Sequence, residues 1–559
     1  LCSHHSDLEF VPNVVRLLEV DDWDGLLALA DSLASQKYET AGQHFSANQF
    51  AALIRKYPFP PRVINTDPRK KALDTFGKAE RKCSRLNRIF KLFEKRSPYE
   101  SYLAKMRGFI RFVMDDVPDI DAVYGNCSFG AGASVGVHGN ATNVGRKITV
   151  SKWSSTPSAF THGFNAVMSH AQLRNYFLEK QGMYCYDKDF AFSSFKSRMS
   201  FVSYNKISFV PKTARTERTI AVEPLVNGYL QKGVDVYLRT RLKRIGINLE
   251  DQTRNQEMAR KGSLEDSPES FATIDLSSAS DSISVGLVKN LVPDDWYRLL
   301  DGIRSKEYEC DGVIKTYHKF CSMGNGFCFP LESLIFTAAC HAIGAGVPGT
   351  DYSVYGDDII VRQKYALELI WLLKKIGFST NKSKTFVEGP FRESCGADWF
   401  GGTNVRPFTL DFALDSVEGV FKFLNITKER ALTSIFFKEL RPYIMSLVPV
   451  DLQLVRPFKG NHDSGIDGYN DEFLSSGNCF FQKKKQHLCW YELEHRPVLD
   501  ERPISAGADD ESVWMYALLF GAQSNNGRHA VKLYLRRKTR TTVILTGHGG
   551  ATSTWLPSN

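Results

Sequence analysis

SVYGDDIIV, residues Ser353 to Val361, sets two aspartates side by side after a glycine, with β-branched or aromatic residues on both flanks. Strands rarely hold adjacent carboxylates, because like charges repel and burying either one is costly. The stretch reads as a β-hairpin. Val354 and Tyr355 run in, Gly356 supplies the positive φ of a tight turn, and Ile359 to Val361 run out. Asp357 and Asp358 then sit at a tip held by rigid strands. A structural turn needs only one Asp or Asn beside its glycine. The doubled carboxylate points instead to a divalent cation whose charge offsets the repulsion. Hard oxygen ligands favour Mg²⁺, with Mn²⁺ as a substitute.

One hairpin supplies too few ligands for two ions. A third carboxylate lies upstream in FATIDLSSASDSIS, where Phe271 to Leu276 is a short apolar strand interrupted only by Asp275. An ionised Asp ending such a strand is costly unless paired or bound to metal. The alternative, a helix cap, is better served by Ser277, Ser278, Ser280 or Asp281. Asp275 is therefore expected to converge with Asp357. Two-metal phosphoryl transfer uses this arrangement, with carboxylates from separate strands bridging ions about 3.5–4 Å apart.

The complement is basic. SFVPKTARTERTIAVEP, Ser208 to Pro224, carries Lys212, Arg215 and Arg218 in a strand–turn–strand pattern, with Lys206 just before it. Spaced cations on a rigid ribbon suit a triphosphate. Alone, the segment would read as an exposed basic hairpin. Between the two acidic strands lies CSMGNGFCFPLESLIF, Cys321 to Phe336. Gly324 and Gly326 allow close backbone approach, Ser322 and Asn325 offer short polar groups, and Pro330 suits the first turn of a helix.

In this order the segments resemble the palm of right-hand template-directed polymerases. TIDLSSASD is similar to the first palm motif, SMGNG with its helix to the second, and YGDD to the third. KKIGFSTNKSKTF (Lys374–Phe386) resembles the fourth motif, and FRESCG (Phe391–Gly396) a fifth at the palm–thumb junction. PKTARTERTIAVEP, GINLEDQTRNQ, TIDLSSASDSIS, SMGNGF, YGDDII and GPFRESCG together resemble the replicases of positive-strand RNA bacteriophages, the levivirus, Q-beta-like type. The dense resemblance runs from about Lys206 to Gly396.

The resemblance implies an RNA-directed RNA polymerase with an α+β right-hand fold, its antiparallel palm sheet flanked by helices. It implies a mostly helical N-terminal region (1–200) contributing to the fingers, and fingers with the basic phosphate motif (201–260). The palm would span 261–400, with a finger insertion near 295–320, and the thumb and C-terminal region 401–559. Asp275, Asp357 and Asp358 correspond to the catalytic ligands of two Mg²⁺ ions. Lys212, Arg215 and Arg218, with Lys206 beside them, correspond to the triphosphate grip. Asp281, Ser322 and Asn325, with Gly324 in the same loop, fall where the ribose is read. Glu332 stands where many viral polymerases carry Asn. Lys382 or Lys384 is placed to protonate the leaving pyrophosphate. The implied partners are template and nascent RNA, NTPs, the host translation elongation factors Tu and Ts, and a ribosomal RNA-binding protein. The implied setting is the cytoplasm of a bacterial host. The rival readings are a reverse transcriptase and a catalytically dead, RNA-binding palm.

Composition agrees with this reading without compelling it. The 559 residues are 43% hydrophobic and 24% charged, with a formal net charge of +9. A modest basic excess fits contact with nucleic acid. The 11 cysteines form no CxxC pair, so neither a zinc ribbon nor a disulfide framework is expected. LCSHHSDLEF is too polar for a signal peptide, and no apolar run is long enough to span a bilayer. The first sixty residues pattern as short helices. Arg69 to Arg96 patterns as a helix with Leu86, Ile89, Phe90 and Phe93 on one apolar face and basic residues elsewhere, suited to a solvated face, a phosphate backbone or an acidic partner. Gly125 to Gly145 reads as a loop. Within it GASVG, Gly132 to Gly136, matches the nucleophile elbow around Ser134, yet no helix-forming sequence follows, so no hydrolase is expected. After Gly402 a helical region near Ser416–Leu447 precedes a polar loop (Lys459–Asn478) and the basic segment YLRRKTRTTVI.

Overall fold

A computed structural model describes residues 10–60, 63–92, 99–138, 144–179, 187–414, 417–433 and 435–446, with four three-residue strands farther on. The polar loop and the basic tail segment fall almost wholly outside the described residues.

Three short helices open the chain: α1 (Val11–Glu19), α2 (Trp23–Leu33) and α3 (Ala41–Arg55). Asp22 caps α2 by accepting from the Gly25 N–H at 2.8 Å, and Thr40 caps α3 through the Gln43 N–H. Their apolar stripes, including Leu26, Ala30, Leu33 and Phe50, close a small core. The long basic helix α4 (Pro68–Leu92) starts on proline and buries Ala72, Phe76, Ala79, Cys83, Leu86 and Phe90, spaced by three or four residues. Ile89, expected on that face, is exposed, since one residue's rotation carries it away from Phe90. Phe93 lies outside the described residues. Helix α5 (Glu100–Met114) follows.

A four-stranded sheet is built from two separated segments. β1 (Tyr204–Thr213) and β2 (Thr216–Val222) form a hairpin, followed by helices α6 (Leu225–Arg244) and α7 (Thr253–Leu264) and strand β3 (Phe271–Ile274). The hairpin of β4 (Glu307–Cys310) and β5 (Val313–Thr316) then returns to it. β4 pairs parallel with β1, Tyr204 opposite Glu307, giving the order β2-β1-β4-β5. Residues 307–316 thus add two strands to the basic hairpin.

Helix α8 (Cys328–Ala342) is buried on nearly every side, with Leu331, Leu334, Ile335 and Ala338 fully enclosed. It packs between α5 and a second sheet, formed by β6 (Tyr352–Tyr355), β7 (Asp358–Arg362) and β3 in the antiparallel order β3-β7-β6. Val354, Ile359 and Val361 anchor this sheet in the main core. Each such side chain contributes roughly 1.5–3 kcal/mol on burial. Helix α9 (Gln363–Lys375) continues directly from β7.

The chain then forms a small antiparallel sheet of β8 (Phe391–Ser394), β9 (Ala397–Phe400) and β10 (Thr403–Asn404), followed by α10 (Val417–Ile426) and α11 (Ile435–Ser446). These last helices share an apolar cluster with Phe45, Leu53 and Tyr57 of the N-terminal region. Gln49 of α3 makes paired bonds with the Phe408 backbone: Gln49 Nε2 donates to its carbonyl at 2.9 Å, and its N–H donates to Gln49 Oε1 at 2.8 Å. The end of α3 touches the β1–β2 turn, where the Ala214 N–H donates to the Arg55 carbonyl at 2.7 Å. The N-terminal helices therefore join the β1–β2 hairpin to the C-terminal helices.

No helix among the described residues is long and apolar enough to cross a membrane. Among the described cysteines, Cys83, Cys328 and Cys340 are buried thiols. Ser134 is not on a strand-to-helix elbow. Val135 bridges Pro224, and through His138 the chain enters no helix.

Candidate active site

Asp357 sits on the two-residue turn of the β6–β7 hairpin, and Asp358 is the first residue of β7. Tyr355 pairs with Asp358, leaving Gly356 and Asp357 as the turn. Gly356 has φ +60°, the Gly-first pattern of a II′ hairpin. A side chain there would strike the Phe329 ring at 2.4 Å, so glycine is needed twice over. Helix α8 pins the turn: the Gly356 N–H donates to Ser333 Oγ at 3.0 Å. From below, Asn255 of α7 donates to the Asp358 carbonyl at 3.3 Å and accepts from Ser353 Oγ at 2.6 Å.

Asp275 arrives on the neighbouring strand. Ile274 of β3 pairs with Ile359 of β7, so Asp275 follows one step past that pair, level with Asp358. The loop after α9 holds it: Asn381 donates to Asp275 Oδ2, and Thr385 Oγ1 lies 3.4 Å from the Asp275 N–H. Asp275 and Asp357 open into a cleft of about 600 Å³. A larger cavity, about 1030 Å³, lies between α3, β9 and α11 but gathers no such set of carboxylates and cations. Asp358 turns toward the β8 strand, where Ser394 Oγ donates to it at 3.4 Å.

Charge is concentrated here. Burial pushes the Asp275 carboxyl up to about 6; Lys384 pulls it down, and Asp357 and Asp358 push it up again. Burial, then Asp357, lifts Asp358 to about 6 as well. Glu332 of α8 is buried, pushed up to about 8 by burial and then by Asp357, and accepts from Ser280 Oγ at 2.8 Å. Several crowded carboxylates with hard oxygen donors fit a divalent cation in chemistry. Among the described residues, however, no three His, Cys, Asp or Glu side chains are gathered closely enough to hold an ion as they stand. The donors are present, but the ligand shell is not preassembled.

Of the expected cations, the cleft receives Lys212, Arg218 and Lys384. Lys212 sits where the β1–β2 register slips between Pro211 and Thr213. Proline cannot donate to the ladder, and the resulting bulge re-aims the side chain. Burial lowers the Lys212 pKa, as do Arg218 and Lys384, while Asp275 and Asp357 raise it. Lys384 forms an ion pair with Glu393 at 3.0 Å. Arg215 does not enter the cleft. Its guanidinium donates to the Asp24 carbonyl and lies 3.5 and 3.6 Å from the Asp24 and Asp31 carboxylates, binding the β1–β2 turn to α2. Lys206 faces Glu309 at 3.8 Å in a separate depression, and Lys382 is exposed outside the cleft.

The glycine-rich loop docks on β2. The Ala221 N–H donates to the Met323 carbonyl at 2.8 Å. Gly324 has φ +108°, and a Cβ there would lie 2.2 Å from the Ala221 carbonyl oxygen. Gly324 and Asn325 line the cleft, with Asn325 Oδ1 accepting from the Phe327 N–H at 3.1 Å. Ser322 is buried beneath and does not line it. Asp281 does line it, fixed by Lys319 at 2.7 Å. Lys319 is wholly buried, 3.7 Å from the centre of the Phe76 ring and 4.0 Å from Glu80 of α4.

The family model of the RNA replicase beta-chain matches residues 14–480. The chain belongs to that family. It is 39% identical over 328 residues to the RNA-directed RNA polymerase subunit beta of Enterobacteria phage SP, covering 56% of this chain and 54% of the relative. It is 42% identical over 239 residues to the corresponding subunit of Escherichia virus Qbeta, covering 42% and 40%. With the RNA-directed RNA polymerase beta chain of Escherichia phage MS2 it is 45% identical over 223 residues, 40% of each. The matches thus span about half the length of these relatives, or less. The α+β architecture of this replicase-family chain, an antiparallel sheet flanked by helices, agrees with the expected right-hand fold.

Residues missed by sequence reasoning are those that act from behind. Asn381, Ser333, Asn255 and Lys319 are single polar residues in unremarkable contexts, and only the fold brings them to the aspartates. Glu332 stands out in the sequence as a departure at a motif position, but its burial beside Ser280 leaves no sequence signal.

Proposed function

We propose that the protein is an RNA-directed RNA polymerase that copies a viral positive-strand RNA genome from NTPs. One observation carries this reading: Asp275 and Asp357, from two neighbouring strands, share a cleft with Lys212 and Arg218 of the fingers hairpin. Carboxylates opposite cations across a cleft suit transfer of a nucleotidyl group from a triphosphate. Family membership supports the same activity.

Asp275 and Asp357 would hold two divalent ions, Mg²⁺ with Mn²⁺ as a substitute, and Asp358 would support one of them. When bound, such ions lower the pKa of the attacking 3′-hydroxyl and neutralise the phosphates. The chain's own groups do the rest. Lys212 and Arg218 orient the triphosphate so that the α-phosphate lies in line with the RNA 3′ end. Asn381 fixes the Asp275 carboxylate. Asp281 and Asn325 read the ribose, with Gly324 keeping their loop against β2. Lys384 hands a proton to the departing pyrophosphate, its ammonium retained by Glu393. Arg215 serves as a strut. We assign residues 1–200 and 201–260 to the fingers side, 261–400 to the palm and 401–559 to the thumb and C-terminal region. Template and nascent RNA are the macromolecular substrates; elongation factors Tu and Ts, a ribosomal RNA-binding protein and the bacterial cytoplasm are the proposed partners and setting.

The test is Asp357→Asn. Nucleotide incorporation on an RNA template should vanish while RNA binding survives. Near wild-type synthesis by this variant would sink the assignment. Comparing rNTP with dNTP incorporation separates the polymerase from a reverse transcriptase.

A further inference from the structure

Helix α4 carries nine basic residues and two acidic ones. Of the acidic pair, Glu80 is buried, leaving Asp74 alone on the exposed side. At 3.6 residues per turn, Lys71, Lys78, Lys82 and Arg85 fall within an arc of about 60°, with Arg81 and Arg88 on one flank. The stripe from Lys71 to Arg88 is about 26 Å long.

Two features set it apart from an ordinary solvated face. Soluble surfaces usually mix both signs, yet among the described residues no carboxylate forms an ion pair with Lys71, Lys78, Arg81, Arg85 or Arg88. Like charges three and four residues apart on a helix repel, so the stripe costs α4 some of its own stability. The stripe also leads somewhere. Lys71 and Thr75 line the catalytic cleft, and Cys83 Sγ donates to the Asp281 carbonyl at 3.5 Å. Lys82 reaches the loop beside Asn381, its ammonium donating to Ser379 Oγ at 2.8 Å.

We propose that the exposed face of α4 is a track for single-stranded RNA running to the catalytic cleft. The inference rests on the polymerase reading. The stripe is one helix wide, with about one cation per 5.4 Å turn, which suits one extended phosphate backbone better than the two of a duplex. Continuity with the cleft favours RNA over an acidic protein, which would have no reason to adjoin Asp281.

The experiment compares the wild-type chain with Lys78→Gln/Arg81→Gln/Arg85→Gln/Arg88→Gln. A surface control is Lys188→Gln/Lys196→Gln, exposed lysines on another helix. Binding of a single-stranded oligoribonucleotide is titrated at several salt concentrations. Each lost phosphate contact should flatten the log–log salt slope by about 0.7, so four should remove up to about 3. At moderate salt the Kd should rise at least tenfold, with kcat at saturating RNA unchanged and the control like wild type. An unchanged slope and Kd in a quadruple variant with wild-type circular dichroism overturns the track. So does loss of an acidic protein partner with RNA binding intact. Failure of the wild type to incorporate nucleotides would instead overturn the polymerase reading, whatever the slope.

Discussion

Asn381 grips Asp275 twice. Its side chain donates to Asp275 Oδ2 at 2.9 Å, and its backbone N–H donates to the Asp275 carbonyl at 2.9 Å. A carboxylate that ends a strand is thereby held in one orientation by the loop after α9. Replacing the amide should release one oxygen while leaving the backbone bond. For Asn381→Ala we expect single-nucleotide incorporation to fall about 10–100-fold, the usual cost of losing a residue behind a ligand. Unchanged kcat/KM would show that Asp275 needs no such orientation.

Arg215→Ala should separate a strut from a phosphate ligand. The guanidinium binds Asp24 and Asp31, away from the cleft. We expect lower thermal stability with little change in KM for NTP. Arg218→Ala should do the reverse and raise that KM. Equal KM effects for both would return Arg215 to the triphosphate grip.

In the Lys319–Asp281 pair Lys319 is inaccessible, while Asp281 is partly exposed to the cleft. Lys319→Met leaves the cleft-facing Asp281 charge without its partner, at a cost of about 1–3 kcal/mol. Removing both charges in Lys319→Met/Asp281→Asn should recover much of that in urea titration. Additive losses would mean the pair is not coupled.

Glu332 gives a pH signature. Its folded pKa is raised from 4.5 to about 8, first by burial and then by Asp357. Between those values the folded chain holds a proton that the unfolded chain has lost. The associated stability is complete below about pH 4.5 and disappears as pH rises toward 8. Glu332→Gln keeps a partner for Ser280 without an ionising group. In chelator, it should be more stable than wild type at pH 8, by roughly 1–4 kcal/mol, and nearly equal at pH 5. Parallel stability profiles would refute this.

Gly324→Ala tests the docked loop. The added Cβ meets the Ala221 carbonyl oxygen in a backbone conformation that L residues avoid. We expect weaker nucleotide binding, read as a KM increase of tenfold or more, because the loop must lift from β2. Wild-type KM would mean that the contact does not shape the cleft.

Much of this centre was legible because its chemistry violates local rules. Paired aspartates on a tight turn, a lone Asp at the end of an apolar strand and a proline-interrupted basic hairpin each demand explanation within a few residues. Arg215 shows the limit. Its spacing from Lys212 and Arg218 suited a triphosphate, but its actual partners lie about 190 residues earlier, where no local pattern could reveal them. Lys319 and Asn381 were invisible for the same reason. Ile89 failed more simply: helical spacing gives a face only to within a residue's rotation, and the packing against α4 is narrow. The placement of α3 against the C-terminal helices had no sequence signal at all.

That placement bears on synthesis. Gln49 finds its partner, Phe408, 359 residues later. At typical elongation rates of about 5–20 residues per second, its bonding groups would wait about 20–70 s for the carbonyl and N–H they satisfy. Helix α3 leaves the ribosome long before the segment that locks it, so Phe45, Leu53 and Tyr57 stay available to chaperones while the β3-β7-β6 sheet assembles behind them.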